Sequence, residues 1–197
     1  MRRRPFAPVP RGAVRYFGPG TAVTSPQRGD FILTHGQGVF SALIRSGQSL
    51  RIHGDDRQFT YWNHAAMIVD AEHIVEALGS GVTRSRLDKY KPKEYFLVEL
   101  GESAHPVDRE QAVAFALQCV GQPYDWLTIV SIACSLITGT KLSFGYEGEY
   151  ICSGLVARSL ERTNAIFNRD PEHIMPADLA KYYGVDARTR AAAVATA

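Results

Sequence analysis

No apolar run in this 197-residue chain is long enough to cross a bilayer. The longest, Leu127 to Gly139, has thirteen residues and contains Thr128, Ser131 and Ser135. A spanning helix needs about 20, so this run reads as a core helix. Cysteine is scarce and odd in number, with three residues in neither CxxC nor metal-ligand spacing. Reduced thiols, a cytoplasmic site of synthesis and no metal or other cofactor are therefore expected. Acidic residues are missing from positions 1–28, which hold six arginines and half of the ten prolines. The leading Met1-Arg2-Arg3-Arg4 is not followed by the apolar region that a secretory signal requires. There is no internal repeat and no GxSxG serine-nucleophile string.

What is present fits one globular domain. Hydrophobic residues make up 45% and charged residues 21%, enough for a sizeable core. Residues 1–27 read as a basic, proline-rich and poorly ordered arm, 28–186 as the domain, and 187–197 as an Ala-rich tail. The net charge is +2, so the six arginines up to position 28 leave −4 on the rest. An acidic body with scattered basic residues argues against a nucleic-acid partner.

The string Glu149-Tyr150-Ile151-Cys152-Ser153-Gly154-Leu155-Val156-Ala157 follows the turn-rich Phe144–Gly148. This predicts Cys152 in the first turn of a helix reaching about Arg162. Unpaired backbone N–H groups and the positive end of the helix dipole stabilise a thiolate there. A free thiol has a pKa of about 8.5, which such a site or a nearby imidazole lowers to roughly 3.5–7.5. The same cysteine also reads as a small buried hydrophobe. The segment alone leaves both open.

Tyr61 to Asp70 reads as a strand carrying His64, and His73 to Leu78 as its returning partner carrying Glu76. A two-residue connection would set Glu76 opposite Met67, on the wrong face for His64. A three-residue connection sets it opposite Ala66, diagonal to His64 on one face, at about 7–8 Å between backbones. Cys152, His64 and Glu76 then form a possible nucleophile, base and orienting carboxylate.

Cys152-Ser153-Gly154-Leu155-Val156 resembles the nucleophile motif of NlpC-type cysteine hydrolases, a papain-like superfamily. Asn63-His64-Ala65-Ala66-Met67-Ile68-Val69 resembles its histidine strand, and Arg28-Gly29-Asp30-Phe31-Ile32-Leu33 its Gly-Asp strand opening. Ordinary members carry the cysteine first. Here the histidine and carboxylate precede it, as in the circularly permuted branch of YiiX/YebB-like proteins and lecithin retinol acyltransferase relatives. The resemblance spans roughly Arg28 to Tyr183. It implies an α+β, permuted papain-like fold, with a small antiparallel sheet or barrel packed against helices and the nucleophile at a helix N-terminus. It also implies a cysteine hydrolase working through a thioester, with peptide amides such as cell-wall stem peptides as the leading substrate. A lipid acyl hydrolase or acyltransferase of the same fold is the alternative, and a catalytically inactive binding module is the reading from another class. The trio does not choose between peptide and acyl substrates.

Other residues carry weaker expectations. Trp62, Tyr124 and Tyr150 are candidates for lining a substrate groove, with core packing as the competing reading. His35 and His53 flank the histidine strand. Cys119 and Cys134 read as packing residues, and Asp30 as a turn residue. Strands are expected at Asp30–Thr34 and Tyr95–Leu100, a short helix over Val39–Ser46, and a loop over Ser49–Thr60. Asp108 to Gln111 has capping-box spacing, predicting a helix with a Val113/Ala116/Leu117/Val120 stripe closed by Gly121. Pro176–Tyr182 is expected as a short helix.

Overall fold

A computed structural model describes residues 13–37, 39–123, 151–163, 165, 167 and 170–186. Its centre is one antiparallel sheet of six strands: β1 (Val14–Phe17), β2 (Phe31–Thr34), β3 (His64–Ile68), β4 (His73–Leu78), β5 (Gly81–Arg86) and β6 (Tyr95–Val98). Their order across the sheet is β1-β6-β2-β3-β4-β5. Among the described residues four helices accompany it: α1 (Val39–Arg51), α2 (Pro106–Gln118), α3 (Cys152–Leu160) and α4 (Pro176–Tyr183). The chain is thus α+β.

The central strands β2, β3 and β6 read as nearly continuous apolar runs because both faces of the sheet are covered. On one face Phe31, Leu33, Ala65, Met67, Val75 and Phe96 join Val113, Leu155, Val156 and Leu160 from the helices. On the other, Ile32, Ala66, Ile68, Ile74 and Leu97 cluster with Phe17 of β1 and with Leu87 and Tyr90. Helix α3 packs on β3 and β4 and is buried almost all round, which its small Ser153, Gly154 and Ala157 permit. Ser153 Oγ donates to the Ile174 carbonyl at 2.6 Å, so even its polar groups are satisfied within the core.

Several sequence expectations are corrected. Val14–Phe17, part of the arm expected to be extended or poorly ordered, is an edge strand whose Phe17 ring stacks on Tyr95 at 5.3 Å. Its Val14 and the adjacent aromatics Tyr16 and Phe17, all suited to a strand, outweigh the surrounding Pro and Arg. Helix α2 begins two residues before Asp108: Pro106 occupies its first turn and His105 Nδ1 accepts the Val107 N–H at 3.4 Å. Leu117 and Val120 are exposed, so the buried stripe narrows to Ala112, Val113 and Ala116. Helix α1 runs on to Arg51, and Gly54–Tyr61 is a 3-10 segment rather than a loop. Its Tyr61 therefore lies outside the histidine strand. The Leu127–Gly139 run, Cys134 and the 187–197 tail lie outside the described residues. Among the described residues no helix is long and apolar enough to cross a membrane.

The connection between β3 and β4 takes the three-residue form. Met67 pairs with Val75 and Ile68 with Ile74, a register that puts Glu76 opposite Ala66. Asp70 builds the turn, its Oδ1 accepting the N–H of Glu72 at 2.9 Å and of His73 at 2.8 Å.

Candidate active site

His64 is the first residue of β3 and faces Thr34, the last of β2. Asn63 fixes this start. Its Oδ1 accepts the Gly36 N–H at 2.6 Å and its Nδ2 donates to the Gly36 carbonyl at 3.0 Å. Gly36 leaves room for this contact: a Cβ there would stand 2.8 Å from Ser41 Oγ and 3.3 Å from Asn63 Oδ1, so those side chains would have to shift.

The His64 ring nitrogen Nε2 lies 2.9 Å from Glu76 Oε2. From the first position of α3, Cys152 interacts with the same imidazole through a hydrogen bond and its charge. Ile151 precedes it in an extended conformation, so the chain turns into the helix at the cysteine itself. The sulfur also receives backbone N–H groups from Ala65 and Ser153. Cys152 is 1% exposed and the His64 side chain 12%, so the imidazole is the more open member of the pair.

Electrostatics favour a separated charge. Burial opposes ionisation of Cys152, but the His64 imidazolium, its hydrogen bond and the two N–H groups outweigh this and hold the thiol below its ordinary value. Burial likewise opposes the charged imidazole. The thiolate, its hydrogen bond and Glu76 overcome it, raising His64 to about 9. Glu76 is fully buried, yet its hydrogen bond and attraction to His64, with help from Lys89 and Ser85, hold it down at about 2. Each group thus favours the charged form of the other, so the thiol is more acidic and the imidazole more basic than either would be alone. Such an arrangement can serve chemically as a nucleophile beside a group that takes up and returns its proton.

Two further residues complete the carboxylate's surroundings. Tyr90 donates its hydroxyl to Glu76 Oε2 at 2.6 Å, and the Lys89 ammonium bonds Oε1. Both lie on the 3-10 turn Leu87–Tyr90 after β5. Sequence reasoning missed them; an isolated Lys-Tyr pair in Asp88-Lys89-Tyr90-Lys91 carries no sign of where β5 will deliver it.

The groove candidates fare differently. Trp62 is corrected to a core residue: it is 1% exposed and its indole N–H donates to the Val185 carbonyl at 3.0 Å. Tyr124 and Tyr150 lie outside the described residues. His35 stacks on Tyr61 and bonds its carbonyl at 2.8 Å, while His53 is exposed ahead of the 3-10 segment. Cys119 is buried at the end of α2. Asp30 is buried and accepts Arg109 Nη1 at 2.8 Å and the Leu100 N–H at 3.0 Å. Among the described residues no group of three His, Cys, Asp or Glu side chains could hold a metal ion.

Searches for related proteins add no identity: no protein-family model matches the chain, and no curated protein matches it.

Proposed function

We propose that the chain is a cysteine hydrolase of the permuted papain-like kind, acting through a covalent thioester. The observation that carries this reading is the buried relay from Cys152, at the start of α3, through His64 to Glu76. The chain order also supports it, with the histidine strand and its carboxylate partner preceding the nucleophile helix.

The Cys152 thiolate attacks a carbonyl carbon, and the carbonyl oxygen takes up the negative charge. The N-terminus of α3, with the Cys152 N–H, is suited to stabilise that oxyanion. As the tetrahedral intermediate collapses, the imidazolium gives its proton to the departing amine and the carbonyl remains on sulfur. His64, now neutral, takes a proton from water as water attacks the thioester. The acid departs and the thiolate–imidazolium pair is restored. Glu76 holds the ring and offsets its charge throughout. A reduced thiol of this kind suits a cytoplasmic protein. The leading substrate is a peptide amide of the cell-wall stem type.

The test is intact-mass detection of an adduct on Cys152 after exposure to stem-peptide fragments and, side by side, to acyl lipids. A peptide acyl adduct that disappears with release of the shortened peptide supports the proposal. A lipid acyl adduct alone moves the enzyme to the acyl-lipid alternative. No adduct with either, together with iodoacetamide labelling of Cys152 no faster than of Cys119, overturns it in favour of a binding module.

A further inference from the structure

Lys89 binds the Glu76 oxygen that His64 does not. His64 Nε2 and the Tyr90 hydroxyl share Oε2, at 2.9 and 2.6 Å, whereas the Lys89 ammonium meets Oε1. We propose that Lys89 is a positioning residue, setting through Glu76 the pH range over which Cys152 and His64 stand as thiolate and imidazolium. Its catalytic meaning rests on the reading of Cys152 as nucleophile; its electrostatic content concerns the pair itself.

The groups around the relay come from every neighbouring element. Glu76 faces His64 from β3, Thr83 and Ser85 from β5, and Lys89 and Tyr90 from the turn. His64 meets Cys152 from α3, Glu76 from β4, and the Tyr90 ring, whose centroid is 6.1 Å away. Lys93 stands over that Tyr90 ring, 5.7 Å from its centroid. Within this set Lys89 is the lysine bonded to the carboxylate.

Its charge has a definite consequence. Glu76 raises the proton affinity of everything near it, helping the imidazolium but making the thiol harder to ionise. A cation on the far oxygen does the reverse at both groups. Lys89 therefore limits the upward pull of Glu76, so that the thiol ionises at lower pH while the imidazole still keeps its proton. A neutral donor could satisfy Oε1 equally well as a hydrogen bond, but would leave that pull unopposed. The Glu76 carboxylate is fully buried and the Lys89 side chain 36% exposed. The ammonium keeps contact with water, lowering its own desolvation cost, while its field acts across a dry carboxylate.

The experiment follows the rate of Cys152 alkylation by iodoacetamide against pH, with peptide mapping, and the His64 titration by NMR. Lys89→Met should move both to higher pH by about one pH unit, and Lys89→Arg should restore them. Tyr90→Phe removes a hydrogen bond without changing charge, so it should shift them much less. An unchanged Lys89→Met profile overturns the proposal, as does an equal shift in Tyr90→Phe. Lys89→Gln serves as a second neutral variant. If both neutral variants fail to fold while Lys89→Arg folds, Lys89 is structural and the proposal also falls. Should Cys152 prove no more reactive than Cys119 in the unmodified protein, the nucleophile reading fails. The His64 titration then still decides the role of Lys89.

Discussion

Two buried carboxylates with cationic partners sit toward opposite ends of the β2–β3 ladder, and their environments push them in opposite directions. Asp30 lies where β2 begins and β3 ends, its carbonyl accepting the Ile68 N–H at 2.7 Å. The Glu76–His64 bond lies at the other end, beside Thr34. Burial raises the Asp30 carboxyl above its ordinary value despite Arg109 and the N–H groups of Leu100 and Gln27. Glu76 is held well below its ordinary value. Arg109 is shared out: besides Asp30 it donates to the carbonyls of Arg28 at 3.0 Å, Gly101 at 2.9 Å and Ala104 at 3.4 Å. It ties the segments 28–30 and 101–104 to helix α2. Gly29, with a φ of +86°, lets the backbone pass against its stem, since a Cβ there would stand 3.2 Å from Arg109 Cβ. The Asp30 end ties its carboxylate to a guanidinium that also bonds three backbone carbonyls. The Glu76 end sets its carboxylate against an imidazole and, beyond it, a thiol. Burying an ion pair and building the proposed site thus use similar parts. The difference is the chemistry of the partner: a guanidinium fixed by carbonyls at one end, an acid–base group at the other.

The largest effects should separate the two ends completely. Cys152→Ser should abolish turnover with its denaturant midpoint little changed; His64→Ala should lower turnover roughly 10²–10⁴-fold and also cost stability, since it leaves the buried Glu76 without its imidazole partner. Asp30→Ala should do the opposite of Cys152→Ser. It leaves the Arg109 guanidinium buried without its carboxylate, costing about 3–5 kcal/mol of stability, while Cys152 alkylation per folded molecule stays the same. Initial rates and chemical denaturation on the same preparations check both. Loss of Cys152 reactivity in folded Asp30→Ala would break the separation.

A smaller loss is expected for Glu76→Gln. The amide can still accept from the imidazole, but it no longer offsets the ring's charge, and its NH₂ side can select the wrong tautomer. Removing the negative charge favours the less protonated forms, so the acidic limb of the pH–rate profile should move to lower pH. His64→Ala should cost more activity. Full activity with an unshifted profile would reduce Glu76 to a strand residue.

Acid stability sharpens the contrast. The Glu76 contribution is present above its ordinary value of 4.5 and is lost as pH falls toward about 2. Integrated over that window it amounts to roughly 3 kcal/mol. Asp30 has the reverse sign, because a raised carboxyl is penalised when ionised and relieved by acid. Denaturation curves of the unmodified protein and Glu76→Gln should therefore converge between about pH 4.5 and 2. A constant separation across the window would mean that the difference arises from packing.

How much of this could be read in advance follows the distance over which each interaction acts. His64 and Glu76 were legible because a single turn joins their strands, and spacing limits that turn to two registers. Cys152 was legible because a turn-rich loop before small apolar residues marks a helix start. Lys89, Tyr90 and Arg109 were not, since their partners are delivered by elements folded from elsewhere in the chain. Gln48 makes the same point. It bonds the carbonyls of Thr60 and Trp62 and receives the Ala177 N–H, three contacts that no local pattern announces. Trp62 was misplaced because an aromatic beside a candidate site histidine suits a groove or a core equally well. Only the approach of Val185 decides it.

The smallest effect concerns Asp70, which lies at the Asp30 end yet helps set the register on which the other end depends. Its Oδ1 holds two turn N–H groups, and its Oδ2 meets Arg84 at 2.8 Å on the surface. The Arg84 contact is half-exposed and screened by salt, so it should contribute little. The turn bonds matter more, and Asp70→Ala should cost about 1 kcal/mol. Register itself should survive, because a one-residue slip would turn Ile74 and Glu76 onto the opposite face and strip both clusters of their partners. Asp70→Ala should therefore lower the denaturant midpoint slightly while leaving the pH dependence of Cys152 alkylation where it was. Asp70→Asn, whose side-chain oxygen can still accept the turn N–H groups, should recover most of the stability. A displaced alkylation profile in Asp70→Ala, restored by Asp70→Asn, would show that the turn tunes the distance between Glu76 and His64. The two ends of the ladder would then be coupled.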